Sequence, residues 1–109
     1  MMKLNNNEIF CLIEILEEYN IYPLEPEKVG EYLIKEDYIL TQEGVIDHIL
    51  EIKDLCNIPE EWLNFKVILE EDNQYHQIGE DRFINTYYLN EDIDKIRETL
   101  IEKKLIRNI

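Results

Sequence analysis

Glu14, Glu17 and Glu18 stand at i, i+3 and i+4, and no lysine or arginine occurs between Glu8 and Glu27. On a helix such side chains lie roughly 5–6 Å apart, and each like-charged pair costs about 0.2–0.5 kcal/mol. Near a helix C-terminus they also meet the negative end of the helix dipole. Further carboxylates cluster at Glu25/Glu27/Glu31, Glu36/Asp37, Glu70/Glu71/Asp72 and Glu80/Asp81. The chemistry on offer is electrostatic. A row of closely spaced carboxylates resembles a row of phosphates to a surface lined with lysine and arginine.

Other chemistries find little support. The chain has no serine, which removes serine nucleophiles and the G-x-S-x-G elbow. Its three glycines, Gly30, Gly44 and Gly79, are far apart and form no phosphate-cradling loop. His48 follows Asp47 and His76 follows Tyr75, with no nucleophile or orienting partner nearby in sequence. Cys11 and Cys56 lack the paired spacing of a zinc site and read as buried free thiols. Glu70-Glu71-Asp72-Asn73 departs from the spacing of a calcium loop. Paired carboxylates are too numerous to single out a glycosidase-type pair, and a chain of 109 residues has little room for the concave pocket it needs. The expectation is a protein without catalytic residues, metal or cofactor.

Composition sharpens this. The net charge is −14, from 25 acidic and 11 basic residues, beyond the roughly 2–8 charges that keep a small domain soluble. From Lys95 onward the balance is +3, leaving −17 on the other 94 residues. Such a field repels nucleic acid and anionic membrane and attracts basic proteins. No apolar run approaches the ~20 residues of a membrane span and no signal-peptide pattern is seen, so a cytoplasmic location is expected. Alanine is as absent as serine, while Ile, Asn, Glu, Lys and Tyr abound. An AT-rich coding sequence, as in a low-GC bacterium, phage or plasmid, has this bias.

The elements that must position these charges form one α+β domain over residues 1–109. Ile9, Leu12, Ile13, Leu16 and Tyr19 predict a helix over 7–20, capped from Asn5–Asn7. Pro26 predicts the start of a second helix, reaching Lys35. Asp37–Leu40 reads as extended, Thr41 as the cap of a third helix to Asn57, and Pro59–Asn64 as a short helical turn. Phe65, Val67 and Leu69 alternate as in a strand, Gln74–Ile78 is a second strand and Arg82–Leu89 a third. Asn90 caps a final helix, with Glu91, Asp92 and Asp94 in its first turn and Lys103, Lys104 and Arg107 in its last. The expected fold is therefore three N-terminal helices, a three-stranded antiparallel meander and a closing helix.

The acidic groups place the expected partner-binding residues at Glu14, Glu17, Glu18, Glu25, Glu27, Glu31, Glu36, Asp37, Glu70, Glu71 and Asp72. The expected function is an inhibitor that occludes a basic nuclease or other nucleic-acid-binding protein by electrostatic mimicry. Anti-CRISPR and anti-restriction proteins are analogous in class, as are immunity proteins that neutralise nuclease toxins. The alternative is an interaction or regulatory domain whose acidity is incidental. Three helices followed by a hairpin is the order of a winged helix, and Tyr38–Gly44 resembles its strand-to-helix join. The would-be recognition helix carries Glu43, Asp47, Glu51 and Asp54 against Lys53, which disfavours direct contact with nucleic acid. Seven tyrosines, with Tyr87 and Tyr88 adjacent, are a further interface signal. Nothing in the pattern fixes the oligomeric state.

Overall fold

Local signals set most element boundaries in the structure, a computed structural model that describes residues 3–53 and 64–107. The order is α1 (Asn6–Glu18), α2 (Pro26–Lys35), β1 (Ile39–Thr41), α3 (Gln42–Lys53), α4 (Phe65–Asp72), β2 (Tyr75–Gly79), β3 (Arg82–Asn85), α5 (Thr86–Glu91) and α6 (Ile93–Glu102). The α+β class holds. The helical turn expected at Pro59–Asn64 (apart from Asn64 itself), the end of the third helix expected at Asn57, and Cys56 fall outside the described residues.

The Asn5 side chain accepts the Glu8 N–H at 2.9 Å while the Glu8 carboxylate accepts the Asn5 N–H at 2.8 Å, a reciprocal cap that starts α1. Pro26 opens α2 without forfeiting a hydrogen bond. Asn20 and Asp37 adopt left-handed backbone, with φ of 61° each, just beyond α1 and α2. The following amides then fold back, Ile21 N–H to Leu16 and Tyr38 N–H to Leu33.

Three expectations are corrected. The segment expected as a strand from Phe65 to Leu69 is helix α4. Phe65, Ile68 and Leu69 fit a helical stripe as well as Phe65, Val67 and Leu69 fit a strand, and capping decides between them. The Asn64 side chain accepts the Lys66 N–H at 3.0 Å and left-handed Asn73 closes the helix, leaving Val67 48% exposed. The strand expected over Arg82–Leu89 stops at Asn85, whose side chain accepts the Tyr88 N–H and starts α5. The last helix begins at Ile93, with Asn90 and Glu91 inside α5, and ends at Glu102. Lys103 is its C-cap and Lys104, at φ 60°, turns the chain out, so the basic residues follow the helix instead of filling its last turn.

The sheet is antiparallel and three-stranded, but it is no meander: the order is β1-β3-β2. Ile39 faces Ile84 and Leu40 faces Phe83 on one side of β3, while His76 faces Ile84 and Gln77 faces Phe83 on the other. Strand side chains alternate between faces. Ile39, Ile78 and Ile84 therefore pack with Leu12 and Leu16 of α1, Val29 and Leu33 of α2, and Ile96 and Leu100 of α6. Phe83 points the other way, into Val45 and Ile49 of α3 and Ile68 of α4. The sheet thus separates two helical layers, each with its own core. The segment after α6 completes the first layer: Leu105 and Ile106 are buried, and Ile106 bridges Pro23.

Glu8 and Arg82 lock α1 to the sheet. Both side chains are largely buried, with the guanidinium Nε 3.8 Å from the carboxylate. They pass over Gly79, where an added Cβ would lie 2.5 Å from Glu8 Oε2. Because the cap and Arg82 hold that carboxylate in place, Gly79→Ala is expected to destabilise the fold by about 1–3 kcal/mol, measured by urea denaturation. Gly30→Ala should cost less, since its Cβ would meet the movable end of the Leu4 side chain.

Candidate acidic interaction surface

The first-helix cluster lies where the pattern put it. Glu14, Glu17 and Glu18 are exposed, and the last turn of α1 holds no basic residue of its own. Its unfavourable dipole is nevertheless answered through space. Arg97 of α6 donates from Nη2 to the Tyr19 carbonyl at 2.6 Å, placing a cation at the negative end of α1. Arg97 also meets Asp94 at 3.2 Å. The charge arrangement of α1 that breaks the rules in sequence is compensated by tertiary structure.

The α2 cluster is interleaved with lysines. Glu25 pairs with Lys28 at 3.5 Å, both well exposed, a contact of little energetic weight. Glu27 and Glu31 border a hollow with Lys3 and Leu4, and Glu31 shares another with Lys28, Lys35 and Lys103. Lys103 also lies 5.2 Å from the centre of the Tyr32 ring. No continuous acidic row forms on this side.

The opposite layer differs. The described residues 36–53 and 64–91 hold 11 of the 25 acidic residues and Lys53, Lys66 and Arg82 among the 11 basic ones, and Arg82 is committed to Glu8. Glu36 and Asp37 end α2, and Asp37 comes beside Glu51 and His48 of α3 around a hollow of about 240 Å³. Asp81 in the β2–β3 turn accepts the Gln42 N–H at 3.3 Å, which brings that turn to the start of α3. Glu43 and Asp47 of α3 and Glu70 and Glu71 of α4 are exposed. Asp72, ending α4, borders a hollow of about 300 Å³ with Gln74, Tyr75, Asn85, Tyr87 and Tyr88. The fold therefore brings Asp37, Glu70, Glu71 and Asp72 to a layer that also carries Glu43, Asp47, Glu51, Glu80 and Asp81, while Glu36 caps the end of α2. It sets Glu14, Glu17, Glu18, Glu25, Glu27 and Glu31 apart on the other side.

A buried polar network sits beneath this layer. Asn85 is 1% exposed, and its carbonyl oxygen accepts from Tyr88, so its amide nitrogen faces the ring nitrogen His48 Nδ1 at 3.3 Å. The Tyr75 hydroxyl lies 2.7 Å from the same ring nitrogen, and the Asn85 amide also approaches that hydroxyl, at 3.4 Å. The His48 ring also packs on Tyr88, centroids 4.9 Å apart. Sequence reading passed over His48, Tyr75 and Asn85 as a site, because residues 27 and 37 positions apart share no local pattern. The available signal was the tyrosine count together with the adjacent Tyr87 and Tyr88.

Among the described residues no helix is long and apolar enough to cross a membrane, and no group of three or more His, Cys, Asp or Glu is placed to hold a metal. Comparison with known protein families, curated proteins and solved structures finds no match.

Two expectations follow from this electrostatics. Replacing Arg97 by alanine removes a charged hydrogen bond to the end of α1 and should cost about 1–2 kcal/mol in thermal or urea unfolding. The Tyr75 phenol is pushed above its ordinary 10.0 by burial and then by Asp72. Tyr38 is pushed up by burial and then by its 2.6 Å hydrogen bond to Asp92. A raised folded-state pKa means the unfolded chain loses these protons first. Stability should be intact below pH 10 and fall as pH rises beyond it, with phenolate absorbance and circular dichroism changing together.

Proposed function

We propose that this chain is a non-catalytic binding domain that presents its α3–α4 layer and β2–β3 turn to a basic protein, as an inhibitor acting by electrostatic occlusion. The partner is a nuclease or other nucleic-acid-binding protein, and the carboxylates stand in for the phosphates it would otherwise hold. The observation that carries this reading is the sorting of charge by the sheet. Most of the basic residues lie outside residues 36–91, and Arg82, one of the three inside, is committed to Glu8. Toxin neutralisation would use the same surface against a nuclease toxin.

The winged-helix alternative has a specific observation on each side. The connectivity α2–β1–α3–α4–β2–β3, with β3 central, is that of a winged helix. However, α2 packs on the opposite face of the sheet from α3 and α4, so the three helices form no common cluster. The helix before the hairpin is α4 rather than α3, and it carries Lys66 against Glu70, Glu71 and Asp72. The turn beyond it carries Glu80 and Asp81. Both elements that would enter or flank a groove are therefore repelled by nucleic acid.

Charge reversal on each side discriminates the surfaces. Glu70→Lys/Glu71→Lys with Asp47→Lys should weaken partner binding at least about tenfold at low salt, mainly by slowing association. Glu14→Lys/Glu17→Lys/Glu18→Lys should change it by less than about threefold. Binding to the captured partner should also fall steeply between low salt and about 0.5 M. Affinity insensitive to salt and to both variants would mean apolar recognition, with the −14 charge as background.

A further inference from the structure

Strand β1 forms one edge of the sheet and β2 the other, with β3 between them. The two edges differ. On β1, Ile39 is 4% exposed and Leu40 is half-buried, so that flank is closed to a new strand. On β2, His76 and Gln77 are both exposed. Neighbouring strand residues point to opposite faces, so solvent reaches β2 from both faces at this point.

The hydrogen bonds of β3 show which backbone groups of β2 face outward. The Asn85 N–H donates to the Tyr38 carbonyl on the β1 side, and the Thr86 N–H donates to the Gln74 carbonyl on the β2 side. Backbone groups alternate sides along a strand, so Ile84 turns toward β2, where it faces His76. His76 is thereby bonded inward, and the N–H and C=O groups of Tyr75 and Gln77 point away from the sheet. Among the described residues these groups have no backbone or side-chain partner. The edge thus offers a donor and an acceptor at every second residue, the spacing that an added strand needs.

The surroundings select the occupant. Strand β2 itself carries no lysine, arginine or carboxylate. Exposed Glu70 and Glu71 precede it on α4, and exposed Glu80 and Asp81 follow it in the turn. A second copy of this chain would bring the same carboxylates to the same edge and be repelled, which is how edge strands resist self-pairing. An extended segment with lysine or arginine on either side of its paired residues meets opposite charge at both ends.

We propose that the open edge of β2 is the docking strand for a short, extended, basic segment of the partner, which adds a fourth strand to the sheet through the backbone of Tyr75 and Gln77. The assignment rests on the acidic-surface reading above and supplies its geometry. Charge draws the partner in, and strand pairing fixes its register.

The test uses the intact, ¹⁵N-labelled chain and a capped peptide, Lys-Lys-Val-Thr-Val-Lys-Lys. Two analogues accompany it, one with glutamate for every lysine and one N-methylated at its three central residues. In the free chain the Tyr75 and Gln77 amides should exchange with solvent much faster than the His76 amide. With the lysine peptide at about ten times its Kd, exchange at Tyr75 and Gln77 should slow about tenfold. N-methylation should weaken binding at least about tenfold, and the glutamate analogue should not bind. Gln77→Pro removes an outward N–H and keeps the pairing with β3, a position where edge strands accept proline. It should weaken the lysine peptide at least about tenfold, whereas Gln77→Ala should change it by less than about twofold. The exchange readout needs no variant, so it decides the matter even if proline unfolds the chain. Protection of Tyr75 and Gln77 already present in the free chain, no slowing by the lysine peptide, or equal binding of the N-methylated peptide overturns the edge site. Equal binding of the glutamate analogue overturns the basic occupant. Amide shifts along α3, α4 and the β2–β3 turn without slowed exchange at Tyr75 and Gln77 would remove the edge site while leaving the acidic surface intact. Loss of salt-dependent partner binding in the α3–α4 reversal variant judges that broader surface separately.

Discussion

Phe83 and Ile84 are neighbours on the central strand and are buried on opposite faces of the sheet, at 2% and 0% exposure. A sheet with an apolar residue on each face of its middle strand must be covered twice. The chain meets that requirement by sending α1, α2 and α6 to one side and α3 and α4 to the other. Charge sorting follows from this division, since each layer brings its own exposed face. Had both helical groups packed on one side, the lysines near α6 would have neutralised the carboxylates of α3 and α4.

The two best-placed arginines point inward to the protein's own groups. Arg82 ties the sheet to the first turn of α1 through Glu8, and Arg97 ties α6 to its last carbonyls. Both ends of α1 are thus held by cations from distant parts of the chain. A helix whose own sequence crowds three glutamates toward its C-terminus can then fold without local compensation. Arg82 is turned inward together with the Glu8 carboxylate, so that pair leaves the net charge of the exterior unchanged.

Sequence reading recovered what short-range rules decide. The Asn5 cap, Pro26 at the start of α2 and the apolar stripe of α6 each appear where the residues indicated, and of the extended segment expected over Asp37–Leu40, Ile39 and Leu40 are strand. It failed where two periods fit the same letters. Over Phe65–Leu69 a strand and a helix both satisfy the hydrophobic pattern, and the deciding contact is one side-chain oxygen of Asn64. It also failed where partners are remote. The pairing of β1 with β3 joins residues more than 40 positions apart, so the meander expected from adjacency was the wrong sheet order. The acidic clusters were legible as residue types, but which of them share a layer was not. Asp37 borders α3, and Glu70, Glu71 and Asp72 lie on α4, while the clusters on α1 and α2 lie across the sheet or among lysines. The aromatic hollow has no sequence signature, because its walls come from a strand and a helix joined by Asn85.

The antiparallel bridge between Pro23 and Ile106 gives the two layers different assembly schedules. The core of the α3–α4 layer draws on Val45, Ile49, Ile68 and Phe83. The other core draws on Leu12 and Leu16 but also on Ile96, Leu100, Leu105 and Ile106. During synthesis α1 and α2 leave the ribosome first, yet their apolar faces stay open until the segment around Ile106 emerges to close them. The acidic layer, though later in the chain than α1, has all its core residues at hand once Phe83 is out. The core that holds the first two helices thus needs residues from later in the chain than the core of the α3–α4 layer does.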